Sequence, residues 1–284
     1  MNTTPGPNNA PEEWLRAQII DFVRDNPGNR LQRIDNTPIF DAPLVGYAAG
    51  DDPLFAEYKR IIGPFHLTPH EALGADAGDP LSVVCWVLPI TEATRASNRS
   101  QIKEPSQRWA HTRNDGQKFC DTLYEFVVSL LTDAGYRAVA PQMSPQFRIY
   151  SEDIPGAPAS NWSERHILYA AGMGTFSLSD GFITPKGIAM RCGSVVTDMP
   201  LTPTPRTATH HYANCLYYTT GRCGVCIARC PAGAITREGH DKQRCSEYMN
   251  REFVSLRKEY EVDISGCGLC QTGVPCEFAI PRQG

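Results

Sequence analysis

The sequence lacks the long apolar runs, basic blocks and leader signals that define several classes of protein. None of its apolar runs approaches the ~20 residues that a helix needs to cross a bilayer. Lys and Arg number 27 against 31 Asp and Glu, and no Lys/Arg-rich block stands out, so we expect no nucleic-acid partner. Residues 1–11 are polar and have neither a basic flank before an apolar core nor a twin-arginine pair. We therefore expect a cytoplasmic protein without a membrane partner.

Cysteine, by contrast, is abundant and unevenly distributed. The 284 residues include 11 cysteines. Cys85, Cys120 and Cys192 are scattered in apolar segments, where free cysteine usually behaves as a small buried hydrophobe. The other eight lie between Cys215 and Cys276. In a reducing compartment such a set indicates metal ligands or redox groups rather than structural disulfides.

The apolar pattern before these cysteines predicts a mixture of helices and strands. One helix is expected to begin at Pro11 and another to span residues 115–134, because apolar residues recur there at helical spacing. Residues 82–88 and 136–140 are predicted strands. Residues 141–160 are rich in Pro, Ser and Gly and are predicted to form a loop. This mixture is typical of the α/β fold class.

Two further elements are predicted upstream of the cysteines. Asn161 and Glu164 resemble a capping box, which would start a helix that runs to about Ala171. Residues 182–184 and 188–196 are interpreted as two paired strands, because the residues between them have turn chemistry.

A proline-rich segment separates this part from the cysteines. Residues 200–205 contain three prolines and are predicted to form a stiff linker. The sequence therefore predicts an α/β domain over residues 1–200 and a small cluster-binding domain over residues 201–284.

The cysteine spacing is close to that of bacterial ferredoxins. Cys223, Cys226 and Cys230, which precedes a proline, follow most of the ferredoxin run. In that run the cysteine before the proline ligates the other cluster, because it lies at the start of a helix and points away from the loop. Thr220 occupies the place of the first cysteine in the run, and Cys215 is the expected substitute.

Eight ligands divide into two 4Fe–4S clusters with none left over. The predicted ligand sets are Cys215, Cys223, Cys226 and Cys276 for the first cluster and Cys230, Cys245, Cys267 and Cys270 for the second. Zinc is an alternative, but zinc ribbons separate their two C-x2-C pairs by ~15–20 residues, whereas 40 residues lie between Cys226 and Cys267. Zinc would also leave four cysteines unexplained, and disulfides disagree with the expected compartment.

Three segments resemble epoxyqueuosine reductase. Residues 163–201, from SERHILYAAGMG to TDMPL, resemble the segment before its clusters and the matching segment of reductive dehalogenases. Residues 244–248, with an Arg-Cys-x-x-Tyr pattern, and residues 266–271 resemble its isolated cysteine and its second cluster run. The match covers roughly residues 80–280.

This resemblance implies a fold, cofactors and partners. The fold would be a nitroreductase-like α/β sandwich that binds cobalamin, followed by a ferredoxin-like domain with two 4Fe–4S clusters. Gly172 and Gly174 would belong to the cofactor-binding scaffold, although a turn at a helix C-terminus explains this pair as well. Implied partners are an electron donor such as ferredoxin or flavodoxin and a small-molecule substrate. A homodimer is expected only by analogy.

The sequence departs from epoxyqueuosine reductase where that family has its catalytic aspartate. Residues 139–143 read Val-Ala-Pro-Gln-Met instead of a Val-Asp-Ser-Ala-Pro-like run, so the proton donor is missing there. We therefore expect a substrate other than epoxyqueuosine. A longer loop follows, over about residues 141–162, and should border the substrate site.

The polar residues of this loop are the candidates for contact with the substrate, because functional residues concentrate on loops. Tyr150 could donate a proton and Arg148 could orient an anionic substrate, so these two are the predicted catalytic residues. Glu152 and Asp153 are further candidates. A solvated loop is the alternative interpretation of all four.

The leading hypothesis is an iron–sulfur oxidoreductase that passes electrons through two 4Fe–4S clusters to cobalamin and to an unidentified small molecule. The alternative is a cofactor-less electron-transfer or accessory protein, for example one that reactivates the corrinoid of a partner. The missing aspartate and the remodelled loop favour this alternative.

Overall fold

The computed structural model describes residues 6, 7, 9–151, 158–264 and 266–282. Its helices are α1 Pro11–Asp25, α2 Leu54–Ile61, α3 Pro69–Leu73, α4 Glu92–Arg99, α5 Gln107–Asp133, α6 Glu164–Ala170, α7 Leu216–Thr220, α8 Val225–Ala228 and α9 Lys242–Glu259. Its strands are β1 Leu44–Ala49, β2 Ser82–Pro89, β3 Ala138–Val139, β4 Ile149–Tyr150, β5 Ala159–Ser160, β6 Thr175–Phe176, β7 Phe182–Ile183 and β8 Met190–Thr197. Short 3-10 turns occupy Pro141–Met143 and Leu269–Gln271.

An antiparallel sheet in the order β1-β2-β8-β3 forms the centre of the fold. Strand β2 is buried along its whole length. Because side chains alternate along a strand, Val84 and Trp86 pack into the core that contains α1 and α5, whereas Val83 and Cys85 pack into the core that contains α2 and α6. Helices thus cover both faces of the sheet, and the predicted α/β class is confirmed.

Helices α1 and α5 pack into the same core, and hydrophobic periodicity predicted the start of α1 but not the start of α5. Helix α1 begins at Pro11 as expected, and Leu15, Ile19 and Val23 form its buried stripe. Helix α5 begins at Gln107, eight residues before the expected start. Its first turns carry polar residues that only tertiary packing buries, so hydrophobic periodicity did not reveal them.

Two local predictions are wrong. Strand β7 pairs with β6, and β8 pairs with β2 and β3, so the expected pairing of residues 182–184 with 188–196 is reduced to one bridge at the turn. The expected capping box is absent, because Ser163 is the residue that precedes α6. The Asn161 side chain instead accepts from the backbone N–H of Arg148 at 2.9 Å and thereby holds the long loop.

The cysteine-rich part packs against the sheet domain. The linker runs along the open edge of β1, where Tyr47 and Thr204 exchange two hydrogen bonds of 2.9 Å. The backbone N–H of Ile188 donates to the Cys276 carbonyl at 2.8 Å. Gly187 adopts φ +84°, and a Cβ there would lie 2.3 Å from the Glu277 carbonyl oxygen, so this approach requires glycine.

The division of the chain at residue 200 stays a prediction.

In the described part of the chain, no helix is long and apolar enough to cross a membrane.

Candidate functional site

The thiols of the first predicted set surround one small cavity. Cys215 precedes α7, and Cys223 and Cys226 flank the start of α8, so a tight loop brings them close to Cys276. The cavity has a volume of about 20 Å³, and the described residues that line it carry no charged side chain. Burial raises the pKa of the Cys226 thiol to about 11 and that of Cys276 to about 12, and the neighbouring cysteines of the set raise both further.

The thiols of the second predicted set line a larger cavity of about 350 Å³. Cys230 follows α8, and Cys245 lies in the first turn of α9. Cys267 precedes the second 3-10 turn, and Cys270 lies within it. Burial raises the pKa of the Cys267 thiol to about 12, and Cys245 and Cys230 also raise it. Cys270 lines both cavities, so the two sets are neighbours.

This donor set fits two 4Fe–4S clusters. All eleven cysteines are free. Among the described residues, no group of three or more His, Cys, Asp or Glu is placed to hold a single metal ion. A cubane takes one thiolate at each of four irons, so its ligands surround a volume rather than a point. The backbone N–H of Ala234 donates to the Cys230 sulfur at 3.3 Å, the type of bond that tunes a cluster thiolate.

The thiols of each predicted set line a common cavity, and the division of the cysteines between two clusters stays a prediction. Iron would displace the protons that burial otherwise holds on these thiols. When bound, the clusters would supply one-electron transfer.

The cavity at the second set adjoins a further space of about 310 Å³ under the long loop. Arg165, Met190, Arg191 and Gln271 line both spaces, so the two spaces are adjacent. We refer to the two together as the central cavity. Its walls come from the sheet domain on one side and from the cysteine-rich part on the other, which makes it the candidate active site.

Two arginines give the central cavity a positive wall. Arg113 of α5 and Arg191 of β8 both donate to the same uncharged acceptor, Gln117 Oε1. The Nε of Arg191 is buried and has no hydrogen-bond partner among the described residues. Burial and the adjacent Arg191 lower the pKa of Arg113 to about 10. This wall suits an anionic group, either a thiolate-ligated cluster or an acidic substrate.

A carboxyl group also lies in the wall of the central cavity. Glu164 begins α6, and its Oε1 accepts from Tyr124 Oη at 2.8 Å while its Oε2 accepts from Ser194 Oγ at 2.7 Å. Tyr124 Oη also lies 3.0 Å from Gln142 Oε1. Burial raises the pKa of Glu164 to about 7, against the two hydroxyl bonds, which lower it.

The sequence analysis did not identify the arginines or the glutamate of the central cavity as site residues. Glu164 fitted a capping pattern and was therefore assigned to a helix start. Arg191 was visible as a lone charge in the apolar run 188–196, a signal that usually marks a residue with a special role. Gln142, which belongs to the run 139–143 that lacks the expected aspartate, does line the central cavity.

The predicted catalytic pair lies on the other side of the loop. Phe147 and Ile149 line the central cavity, and since side chains alternate along a strand, Arg148 and Tyr150 point away from it. Arg148 donates to the carbonyl oxygens of Pro145 and Phe147 at 2.7 Å each. Tyr150 stacks on a phenylalanine ring, with 4.1 Å between the centroids.

The catalytic roles of Arg148 and Tyr150 stay predictions that this placement does not favour. Glu152 and Asp153 lie outside the described residues.

The two glycines predicted to scaffold a cofactor contact protein backbone. Gly172 adopts φ +67° after α6, and a Cβ there would lie 2.7 Å from the Pro205 carbonyl oxygen. A Cβ on Gly174 would lie 2.3 Å from the carbonyl oxygen of Ile183. Close backbone packing therefore explains both positions, and their role in cofactor binding stays a prediction.

No family model matches the chain, and no curated protein matches it. Among solved structures it is similar to an epoxyqueuosine reductase from Bacillus subtilis whose aspartate-bearing catalytic loop is swung out of the active site, with 17% identity and a TM-score of 0.52. It is also similar to a selenomethionine-labelled epoxyqueuosine reductase, with 17% identity and a TM-score of 0.54. The matches cover 95% and 93% of this chain and 67% and 65% of those chains. The chain thus shares the fold of these enzymes over about two thirds of their length.

Proposed function

We propose that the protein is an iron–sulfur reductase, which passes electrons through two 4Fe–4S clusters to a small molecule in the central cavity. The observation that carries this proposal is the separation of eight thiols into two adjacent groups, of which the second opens into the central cavity. Because Cys270 lines both sites, an electron would need only a short transfer between the clusters. The fold that the chain shares with two epoxyqueuosine reductases supports a reductase of this kind.

We further propose that cobalamin binds in the central cavity, as the resemblance to epoxyqueuosine reductase implies. The two spaces of the central cavity share Arg165, Met190 and Arg191 in their walls. Trp109 and Met190 would provide apolar walls, and Arg165 and Arg191 would bind its amide oxygens and phosphate. When bound, cobalamin would supply a cobalt centre that accepts electrons from the clusters.

An electron donor such as ferredoxin or flavodoxin is proposed to dock beside the first cysteine set. Apolar side chains near these cysteines in the chain are solvent-exposed, namely Tyr218 at 41%, Val225 at 37%, Phe278 at 59% and Ile280 at 43%. A cytoplasmic location and a homodimer are further proposals, and the homodimer is made by analogy alone.

The test is anaerobic purification with cluster reconstitution, followed by titration with cobalamin. Iron and acid-labile sulfide should reach the level of two cubanes per chain, and cobalamin should co-elute with the protein on a sizing column. An Arg191→Gln variant should bind cobalamin more weakly, whereas Arg222→Gln, an exposed arginine beside the first set, serves as the matched control. Zinc in place of iron would contradict the proposal.

A second candidate is a cofactor-less electron-transfer or accessory protein. The missing aspartate in the run 139–143 and the exposed apolar side chains beside the first cysteine set favour it. Full cluster content without any retention of cobalamin would support this second function and contradict the proposed binding of cobalamin.

A further inference from the structure

A reduction in the central cavity needs a proton as well as electrons, which raises the question of which side chain supplies it. Besides the cysteines assigned to the clusters, the described wall of the cavity carries several groups that could do so, among them Asp180, Cys192, His240 and Glu164. Asp180 and His240 pair with each other at 3.3 Å. Burial raises the pKa of the Cys192 thiol to about 12, so it gives up its proton too reluctantly.

The hydrogen bonds around Glu164 accommodate a proton. The hydroxyl of Tyr124 lies within hydrogen-bond distance of two acceptors, Glu164 Oε1 at 2.8 Å and Gln142 Oε1 at 3.0 Å, but it has a single proton to donate. A proton on Oε1 lets Glu164 donate to Tyr124 and lets Tyr124 donate to Gln142. Each group in this chain then has a donor matched to an acceptor.

The other carboxyl oxygen is satisfied in either protonation state. Ser194 Oγ accepts from Trp162 Nε1 at 2.9 Å and donates to Glu164 Oε2 at 2.7 Å. Glu164 is thereby held in one orientation, with its carboxyl group in the wall of the central cavity.

The charges that face Glu164 come from every element packed against it. Tyr124 of α5, Cys85 of β2 and Cys192 of β8 are buried groups that stay neutral, because burial raises the pKa of each. Arg191 of β8 is the cation that opposes protonation. Burial outweighs it and raises the pKa of Glu164 to about 7, in the range that suits a general acid at neutral pH.

We propose that Glu164 is the proton donor of the central cavity, an inference that rests on the proposed reductase function. Two electrons, one from each reduced cluster and ultimately from the donor protein, and one proton from water would convert a C=C or C=O double bond of the substrate into a carbanion or an alkoxide. The O–H bond of the Glu164 carboxyl group breaks as the new C–H or O–H bond of the product forms. The carboxylate then regains its proton from water that enters the cavity.

The experiment compares the cluster-loaded wild type with Glu164→Gln and with Glu125→Gln, a control on the exposed face of α5 next to Tyr124. Infrared difference spectra across pH should show a protonated carboxyl group with a midpoint near 7 in the wild type and the control. Its loss in Glu164→Gln is the expected result. The absence of such a group in the wild type would overturn the proposal.

Access from the cavity is tested with dicyclohexylcarbodiimide, an apolar reagent that attacks protonated carboxyl groups. Peptide mapping should locate the label at Glu164 below the midpoint and show at least a tenfold drop well above it. A labelled wild type in which Glu164 stays unmodified at every pH would overturn the proposal.

Iron, sulfide and cobalamin retention are measured on the same preparations, so failure of the reductase function is distinguishable from failure of Glu164. Loss of the clusters in Glu164→Gln would show a structural role and would also overturn the proposal.

Discussion

The two cysteine sets are neighbours, yet their surroundings differ. The first set encloses a cavity of about 20 Å³ whose described lining is uncharged, and exposed apolar side chains lie nearby in the chain. The second set opens into a cavity of about 350 Å³ whose wall includes Arg113, Arg165 and Arg191. The first set therefore suits a relay that receives electrons, and the second suits a cluster that delivers them.

The difference originates in which part of the fold contacts each set. The second set meets α5, α6 and β8, and these elements bring in the charged side chains. The first set contacts mostly residues near its own loops. A cluster that is balanced by fixed cations is easier to reduce than one without them, because reduction adds negative charge. We therefore expect the second cluster to have the higher potential, which directs electrons toward the central cavity.

The largest expected effect is the loss of one cluster at a time. Cys223→Ala should remove the first cluster and Cys267→Ala the second, since each deletes one of four ligands. Iron and sulfide should fall by about half in either variant. Electron paramagnetic resonance of the reduced protein should retain one of the two signals, a different one in each case. Loss of all iron in both variants would show that the two sets do not act separately.

The next expected effect is on the stability of the contact that attaches the first cysteine set to the sheet domain. Glu277, 2% exposed, accepts from Arg99 Nε at 2.9 Å and from the Gly273 backbone at 2.7 Å, directly after Cys276. Glu277→Ala removes the buried carboxylate that pairs with Arg95 and Arg99 and leaves them only Glu92 as an acidic partner, so it should destabilise the protein by about 1.5–3 kcal/mol. Denaturant unfolding under anaerobic conditions measures this.

Glu92 provides the matched control for that variant. It binds the same Arg99 but is largely exposed, so Glu92→Ala should cost less than about 1 kcal/mol. Equal losses for the two variants would contradict the role assigned to burial.

The third expected effect tests whether the cations of the cavity wall raise the reduction potential of the second cluster. Arg191→Gln removes a cation from the wall beside the second set and should lower the potential of that cluster alone, on the order of 60 mV, which is tenfold in a one-electron equilibrium. Redox titration followed by paramagnetic resonance resolves the two clusters. The exposed Arg222→Gln should leave both potentials near the wild-type values.

The smallest effect is the dependence of stability on pH. In the folded protein the pKa of Glu164 is raised from 4.5 to about 7. The bound proton therefore contributes stability that is fully present below the unfolded pKa and is lost as the pH rises through about 7. Relative to Glu164→Gln, the wild type should lose on the order of 2 kcal/mol between about pH 5 and about pH 8. Denaturation midpoints of both proteins give this difference, and parallel pH profiles would disprove the raised pKa.

The residue order by itself determined the features that depend on near neighbours. Pro11 and the stripe after it predicted α1, the apolar run at residues 82–88 predicted β2, and the cysteine spacing predicted two sets of four thiols. Helix caps, apolar periods and short ligand loops are local, because each depends on residues a few positions apart.

Only the tertiary structure decided which distant residues meet. The sheet pairs β8 with β2, residues about a hundred positions apart, rather than with the nearby β7. That pairing places Arg191 beside Arg113, and it turns Glu164 from an apparent helix cap into a buried acid. Burial and long-range pairing depend on how whole elements pack, and the spacing of residues along the chain contains no direct record of that packing.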